Sequence, residues 1–261
     1  MSKNLTIFDL DNTLIKGDSS TVWSRFLVRE GWVSDPAYLA REAMLMDDYD
    51  RGEMNIADYV ALIQAPLIGV PKAEVDALVA RCVQQDIMPR VYPQAWDLLQ
   101  TLRAQGEQML VISASVSLLV QAVASALGIE QALGIDVEMA AGGYSGVIAG
   151  TPSYQQGKVV RLAAWQKTWP HESGEVTFYT DSINDLPLCL HADHVRLVNP
   201  CPQLTAVNAS YNWPVLAWSL LARFLPGPRH HPCRLCCPGS RGGRLRRFEQ
   251  GHHVAANIAA A

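Results

Sequence analysis

The length, composition and charge of this chain favour an α/β protein with a small charged ligand. Its 261 residues are 49% hydrophobic, which allows a full α/β core and a smaller second module. Residues 223–261 hold seven of the 21 basic side chains and one of the 25 acidic ones, so they carry a net charge of +6 and residues 1–222 carry −10. An acidic body argues against a nucleic-acid partner. The absence of a signal-peptide pattern, of a membrane-length apolar run and of secretory cysteine spacing favours a cytoplasmic protein without a membrane partner.

The first predicted element is a buried strand that ends in two carboxylates. The run Leu5-Thr6-Ile7-Phe8 is followed by Asp9 and Asp11. Side chains two apart in an extended chain point the same way, and the sites of parallel α/β sheets lie beyond the carboxyl ends of strands. Two such carboxylates repel each other unless a cation or a proton lies between them. The pair therefore predicts Mg²⁺ and one nucleophilic carboxylate, although a turn without function remains the alternative for the pair alone.

A helical insertion is predicted over residues 16–85. Ser19, Ser20 and Thr21 are predicted to cap its first helix, and Gly52, Pro66, Gly69 and Pro71 break the pattern later. No strand pattern interrupts this region, so we expect a small helical cap over the site. Its further helices are predicted at about 36–49, 55–65 and 71–85.

Strands and helices alternate after the insertion, which predicts a parallel sheet with right-handed crossovers. The predicted core domain comprises residues 1–15 and 86–222, and residues 223–261, which are rich in Pro and Gly, are predicted to be a disordered basic tail. The predicted elements are a helix over 93–104, a strand over 108–112, a helix over 116–127, a hairpin over 137–148, a helix over 157–168, a strand over 176–179, a last strand over 195–198 and a closing segment over 213–218.

Three later segments place polar groups at strand ends or helix starts. Ser113 follows the second strand and can meet phosphate with its hydroxyl and the next amides, although an ordinary helix-capping serine is the alternative. Lys158 lies at a helix start, the unfavourable end for a cation, which favours a role beside phosphate over a solvated surface lysine. Asp181, Asn184 and Asp185 follow another strand and can complete an oxygen-rich Mg²⁺ shell, or simply cap the next helix.

The four motifs, in this order, resemble those of the haloacid dehalogenase superfamily of phosphotransferases. The resemblance covers about residues 5–200, and the position of the insertion is similar to the subfamily that contains phosphoserine phosphatase. The segment 179–188, Tyr-Thr-Asp-Ser-Ile-Asn-Asp-Leu-Pro-Leu, is also similar to bacterial phosphatases of that subfamily assigned to histidinol phosphate. The resemblance implies a Rossmann-like parallel sheet with a small α-helical cap inserted after the first strand.

The resemblance also implies a role for each matching residue. Asp9 would be the nucleophile and a Mg²⁺ ligand, and Asp11 would be the general acid–base whose backbone carbonyl touches the metal. The remaining implied roles are phosphate binding by Ser113 and the amide of Ala114, support of Asp9 and the phosphoryl group by Lys158, metal ligation by Asp181, support of metal and lysine by Asp185, and contact with phosphate or substrate by Asn184.

Asp11 and Asp18 narrow the substrate class. An alkoxide leaving group needs a proton and a halide does not, so Asp11 favours a phosphate ester over dehalogenation. Asp18 stands nine residues after Asp9, where phosphoserine phosphatases place an acid that meets the amino group of the substrate. An ungapped alignment puts Ala61 where those enzymes place an Arg for the substrate carboxylate.

No basic residue occurs between Arg51 and Lys72. A carboxylate left unpaired in such a pocket costs about 2–5 kcal/mol. The pattern therefore favours a small amine-bearing phosphate monoester without a carboxylate, for which histidinol phosphate is the best match. Phosphoserine, with Arg51 as its partner, and a phospholipid head group remain the alternatives.

Overall fold

The computed structural model describes residues 3–140, 142–170 and 173–221. The predicted tail over residues 223–261 and residue 222 of the predicted core domain lie outside the described residues. Of the helices in the described part, none is long and apolar enough to cross a membrane.

Six parallel strands form the main sheet, and a two-stranded antiparallel hairpin lies apart from it. The order in the main sheet is β3-β2-β1-β6-β7-β8, and the hairpin is β4-β5. The strands are β1 (Lys3–Phe8), β2 (Gln108–Val116), β3 (Gln131–Ile135), β4 (Val137–Ala140), β5 (Gly143–Ile148), β6 (Ser173–Thr180), β7 (His194–Val198) and β8 (Val215–Leu216).

Four α-helices follow β1 before Tyr92, and in the described residues between Asp9 and Tyr92 extended structure is limited to isolated bridges. This helical segment is followed by helices that alternate with strands, as the sequence predicts. The helices are α1 (Ser19–Arg29), α2 (Tyr38–Arg51), α3 (Ile56–Gln64), α4 (Lys72–Cys82), α5 (Pro93–Ala104), α6 (Ser117–Ala126), α7 (Gln156–Thr168), α8 (Leu186–Cys189) and α9 (Pro202–Asn208).

The sheet is buried on both faces, which explains why β1 reads as a continuous apolar run. Ile7 and Phe8 are fully buried, and because neighbouring side chains alternate they belong to different hydrophobic clusters. Ile7 packs in the cluster that contains Phe178 and Leu162, whereas Phe8 shares its cluster with the helical segment, including Trp23. The helical segment is therefore anchored on one face of the sheet.

Several sequence predictions about single elements were wrong. The second strand does not end at Ile112 but continues to Val116, with a register shift against β3 over that stretch. The strand 195–198 is not the last, because β8 pairs beyond it, and β3 and α9 were not predicted. The N-cap of α1 is Asp18, so Ser19 and Ser20 lie inside its first turn. The hairpin and the helices α5, α6 and α7 are confirmed within a few residues.

Candidate active site

Parallel pairing gathers the four motifs at one edge of the sheet. Phe8 pairs with Tyr179 on one side and with Val111 on the other, so the carboxyl ends of β1, β2 and β6 are neighbours. The backbone N–H of Asp9 donates to the carbonyl of Tyr179 at 2.9 Å. Asp181 follows β6 directly. The sequence prediction that these strand ends meet is confirmed.

Lys158 joins two of the carboxylates. Its Nζ lies 2.7 Å from Asp9 Oδ1 and 2.6 Å from Asp185 Oδ1, and its side chain is fully buried. Thr180 Oγ1 donates to the other oxygen of Asp185 at 2.7 Å. Burial disfavours the charge on Lys158, but Asp185 and Asp9 outweigh it and raise the pKa of the ammonium group. The lysine is therefore charged and fixed against the nucleophile that the sequence predicts.

Glycine at the start of α7 permits this approach. A Cβ at Gly157 would lie 1.9 Å from the carbonyl oxygen of Pro152, a distance that no side chain tolerates. The absence of a side chain lets the first turn of α7 press against the preceding loop, which sets the position of the next residue, Lys158.

The carboxylates exceed the positive charge available to them. Burial raises the pKa of Asp9 to about 7, with Lys158 opposing this rise and Asp185 and Asp11 adding to it. Burial, Asp9 and Asp185 likewise raise the pKa of Asp181 well above its usual range, although Thr13 Oγ1 donates to Asp181 at 3.1 Å. A cation between these carboxylates would relieve the repulsion.

In the described part of the chain, no three His, Cys, Asp or Glu side chains are grouped so that they could hold a metal ion by themselves. A divalent cation here would therefore combine carboxylates such as Asp9 and Asp181 with backbone or water oxygens, as Mg²⁺ commonly does.

Asp11 is held by both of its oxygens. Oδ1 accepts the backbone N–H of Ser19 at 2.6 Å, and Oδ2 accepts from the hydroxyls of Ser115 at 2.8 Å and Ser113 at 3.3 Å. Burial raises the pKa of Asp11, while these hydrogen bonds oppose that rise. The carboxyl is thus directed by hydrogen bonds rather than by an ion pair, an arrangement that would suit the general acid–base that the sequence predicts.

A small cavity lies beside these groups. Its lining combines the sheet edge with side chains of the helical segment, and its volume is about 20 Å³, close to the space that one water needs. A larger cleft of about 470 Å³ lies between α4, α6 and the hairpin and is lined by none of the site carboxylates. The lining of the small cavity comprises Asp9, Asp11, Asp18, Met46, Tyr49, Met54, Tyr59, Ser113, Ala114 and Ser115.

Of the residues predicted to contact the substrate, Asp18 lines the cavity and Asn184 does not. Asp18 lines the cavity, and it also caps α1, with Oδ1 accepting the N–H of Thr21 at 2.8 Å. Asn184 lies outside the lining, and its Nδ2 donates to the carbonyl of Tyr49 at 2.8 Å. The alignment position Ala61 is wrong for a cavity-facing residue, because Ala61 is exposed while Tyr59 on the same helix faces the cavity.

Arg51 points away from the cavity. Its guanidinium pairs with Asp48 and, at 3.2 Å, with Glu53, and its side chain is 54% exposed. Among the described residues, the cavity lining contains no Lys or Arg.

Sequence reasoning missed Ser115 and Tyr59. Ser115 carried a usable signal, because it stands two residues after Ser113 and so faces the same side of an extended chain. Tyr59 carried none, since which residue of a cap helix faces the site depends on how that helix packs.

The fold and the site define a parallel-sheet α/β protein with a carboxylate-rich centre. A sequence model of the haloacid dehalogenase-like hydrolase family matches residues 6–189, and the chain belongs to that family. It is 34% identical over 218 residues to a histidinol-phosphatase from Neisseria meningitidis serogroup C (strain 8013), which covers 82% of this chain and 98% of that protein. The predicted resemblance is confirmed, and the chain is a phosphatase.

Solved structures agree with this fold. A protein of unknown function from Bordetella pertussis Tohama I superposes with a TM-score of 0.76 and 32% identity, covering 83% of this chain and 99% of that chain. A substrate-bound phosphoserine phosphatase reaches a TM-score of 0.59 at 17% identity, covering 79% of this chain and 90% of that one. The second likeness shows the fold alone, and the predicted Rossmann-like α/β class is confirmed.

Proposed function

We propose that this phosphatase is a Mg²⁺-dependent monoesterase that forms an aspartyl-phosphate and acts on a small amine-bearing phosphate ester, with histidinol phosphate as its substrate. The observation that carries the choice of substrate is the cavity lining, which offers the acid Asp18 and no basic side chain. The similarity to a histidinol-phosphatase over 98% of its length supports the same choice.

The donor set fits magnesium. The side chains of Asp9 and Asp181 and the backbone carbonyl of Asp11 would hold the ion, and the raised pKa values of Asp9 and Asp181 are what buried carboxylates show when they outnumber the cations beside them. When bound, the ion supplies neutralisation of the charge that the phosphate oxygens and carboxylates share.

Side chains and backbone amides of the protein supply the nucleophile, the general acid–base and the phosphate-binding groups. Asp9, held by Lys158 at 2.7 Å, attacks phosphorus and becomes the aspartyl-phosphate. Asp11 gives its proton to the leaving alkoxide and later removes a proton from the attacking water. Ser113 and the amide of Ala114 bind the phosphate oxygens, so most of the catalysis consists of positioning and charge neutralisation.

The helical segment, residues 16–85, acts in this proposal as a cap over a core formed by residues 1–15 and 86 onward. Hydrogen bonds between the end of α2 and the core include Asn184 Nδ2 to the Tyr49 carbonyl at 2.8 Å, Gln155 Nε2 to the Gly52 carbonyl at 3.1 Å and Gln203 Nε2 to the Asp50 carbonyl at 3.1 Å. A cavity of about 20 Å³ holds no phosphate ester, so the cap must open to admit substrate and close to exclude water.

The carboxylate of phosphoserine has no cationic partner in the cavity lining of the described residues. Arg51, the nearest alternative in sequence, is engaged by Asp48 and Glu53 at the surface. A carboxylate placed beside Asp18 would instead meet a second negative charge or apolar side chains, at a cost of about 2–5 kcal/mol.

The test is Mg²⁺-dependent phosphate release from histidinol phosphate and from phosphoserine at equal concentration, with Asp9→Asn as the blank. We expect kcat/KM to favour histidinol phosphate by tenfold or more, and Asp9→Asn to lower turnover by on the order of 10⁴ or more. A preference for phosphoserine would contradict the substrate, and near-normal turnover by Asp9→Asn would contradict the nucleophile.

A further inference from the structure

Ser115 lies where hydroxyl groups of the cap meet the carboxylate of Asp11. Its Oγ is 2.8 Å from Asp11 Oδ2, 3.1 Å from Ser20 Oγ and 3.3 Å from Ser19 Oγ, and the residue is 3% exposed. Ser20 Oγ is in turn in short contact with Tyr59 OH. The proposed chemistry gives no role to Ser115, Ser20 or Tyr59.

The direction of these hydrogen bonds follows from their end point. Asp11 Oδ2 accepts from Ser115, so Ser115 uses its single hydroxyl proton in this hydrogen bond. The oxygen of Ser115 then accepts from Ser20, and the oxygen of Ser20 accepts from Tyr59. One ordered chain, Tyr59 to Ser20 to Ser115 to Asp11, results, and because it is buried each link strengthens the next.

This chain of hydrogen bonds connects the helical cap to the sheet. Tyr59 lies on α3, Ser20 in the first turn of α1 and Ser115 on β2. The backbone N–H of Ser19, also in that first turn, holds the other oxygen of Asp11 at 2.6 Å. Since the cavity admits a substrate only when the cap has moved, these links are complete in the closed arrangement and strained or broken when it opens.

We propose that Ser115 is a positioning residue that directs Asp11 toward the leaving oxygen when the cap closes. Ser20 and Tyr59, which belong to the cap, couple Ser115 to its closure through their hydrogen bonds. The inference rests on the proposed role of Asp11 as general acid. Ser115 forms and breaks no covalent bond, so its effect should follow the demand of the leaving group for a proton.

Comparing two phosphate esters whose leaving groups differ in basicity tests this dependence, with the full-length protein and Mg²⁺. Histidinol phosphate releases a strongly basic alkoxide, whereas p-nitrophenyl phosphate releases a weakly basic phenolate that needs no general acid. Because kcat/KM reports steps up to the first irreversible one, it isolates formation of the aspartyl-phosphate. We expect Ser115→Ala to lower kcat/KM for histidinol phosphate about ten- to hundredfold, the range of one hydrogen bond to a charged group, and to change that for p-nitrophenyl phosphate less than about threefold.

Equal losses on the two esters would overturn the inference in favour of phosphate binding or folding by Ser115. Normal rates on both would overturn it as well. Tyr59→Phe, which keeps the ring and removes the hydroxyl, should show the same selective loss in smaller measure and provides the test if Ser115→Ala does not fold.

Tyr38→Phe is the matched control. Tyr38 is 2% exposed, and its OH lies 3.5 Å from Ser24 Oγ, so it removes a buried tyrosine hydroxyl facing a serine elsewhere in the cap. It should leave the ratio of the two kcat/KM values unchanged. The double variant Ser115→Ala/Tyr59→Phe should lose little more than Ser115→Ala alone, whereas additive losses would show that the two hydroxyls act separately.

Asp11→Asn on the same two esters separates this inference from the proposed function. If it slows both esters equally, Asp11 is not the general acid and the proposed function fails first. If Asp11→Asn is selective and Ser115→Ala is not, the proposed function stands and only the role of Ser115 is overturned.

Discussion

Asp18 caps α1 and, in the proposed function, also binds the amine of the substrate, and one substitution can separate these two roles. Its Oδ1 caps α1 through the N–H of Thr21, and its carboxyl group lines the cavity where the amine of the substrate would lie. Burial first and Asp11 second raise the pKa of Asp18, so an incoming ammonium group would draw it into the ionised form. In the proposed function, one side chain therefore serves both as a helix cap and as a specificity determinant.

Asp18→Asn keeps the cap, since Asn is as good an N-cap as Asp, and removes the charge. We expect kcat/KM for histidinol phosphate to fall at least about thirtyfold, the lower end of the cost of a lost buried charge partner, while the melting temperature stays within a few degrees. p-Nitrophenyl phosphate, which has no amine, should be hydrolysed nearly as before.

The exposed acid Asp58 is the control, because Asp58→Asn removes the same charge from a position in the cap that does not line the cavity. A comparable loss in both variants, or none in Asp18→Asn, would show that Asp18 serves only as a helix cap.

The α7 helix fixes Lys158 through the glycine that precedes it. At an open helix position Gly→Ala stabilises a protein by about 1 kcal/mol. At Gly157 the added Cβ would meet the Pro152 carbonyl at 1.9 Å, so the sign reverses.

We expect Gly157→Ala to destabilise the protein by about 1–3 kcal/mol and to lower kcat, because the first turn of α7 must shift and carry Lys158 away from Asp9. Thermal melts and steady-state rates measure the two effects. Gln156→Ala, at the exposed preceding position, should leave both nearly unchanged. A melting temperature that rises in Gly157→Ala would contradict this account of how the lysine is placed.

Among the secondary-structure elements, the sequence predicted those that have a strong local pattern of apolar residues. The apolar runs before Asp9 and Asp181 identified β1 and β6, which lie at the centre of the sheet. The strand β3, Gln-Ala-Leu-Gly-Ile, was missed because it alternates weakly and contains Gly134, which lies against the backbone of Ser117. Local patterns report burial, and they say little about an edge strand that depends on its neighbour.

Tyr59 shows the corresponding limit for the site. Asp9, Ser113 and Asp181 were predicted because strand ends in a parallel sheet meet at one edge, and Lys158 was predicted from its unusual place at a helix start. The packing angle of α3 has no such rule, so an ungapped alignment chose Ala61, which the structure places on the outside.

For the whole molecule, the excess of carboxylates makes stability depend on pH and metal. The pKa of Asp9 rises from 3.8 to about 7 on folding, and that of Asp181 also rises. Groups with raised acidic pKa values bind protons on folding, so their contribution to stability is complete below pH 3.8 and, for Asp9, is lost as the pH rises toward about 7. Without metal, the site should therefore destabilise the protein most at neutral and higher pH.

Magnesium should reverse that effect because it binds the folded state. At a concentration one hundred times its Kd it would add about 2.7 kcal/mol of stability. We expect Mg²⁺ to raise the melting temperature of the wild-type protein at pH 8, measured against EDTA at equal ionic strength. Asp181→Asn should lose most of this response, and in EDTA it should melt above the wild-type protein at pH 8 but not at pH 4.

The test is stringent because Asp181→Asn should reduce the Mg²⁺ response and yet raise the melting temperature in EDTA at pH 8. A substitution that merely damages the fold would lower the melting temperature in EDTA as well. Asp97→Asn, which removes an exposed carboxylate on α5, should behave as wild type in both conditions. An undiminished Mg²⁺ response in Asp181→Asn would exclude Asp181 as a ligand and leave the excess charge at the sheet edge to be balanced by other means. If the Mg²⁺ response disappears while the melting temperature in EDTA rises, the carboxylates that destabilise the metal-free protein are the same groups that bind the ion.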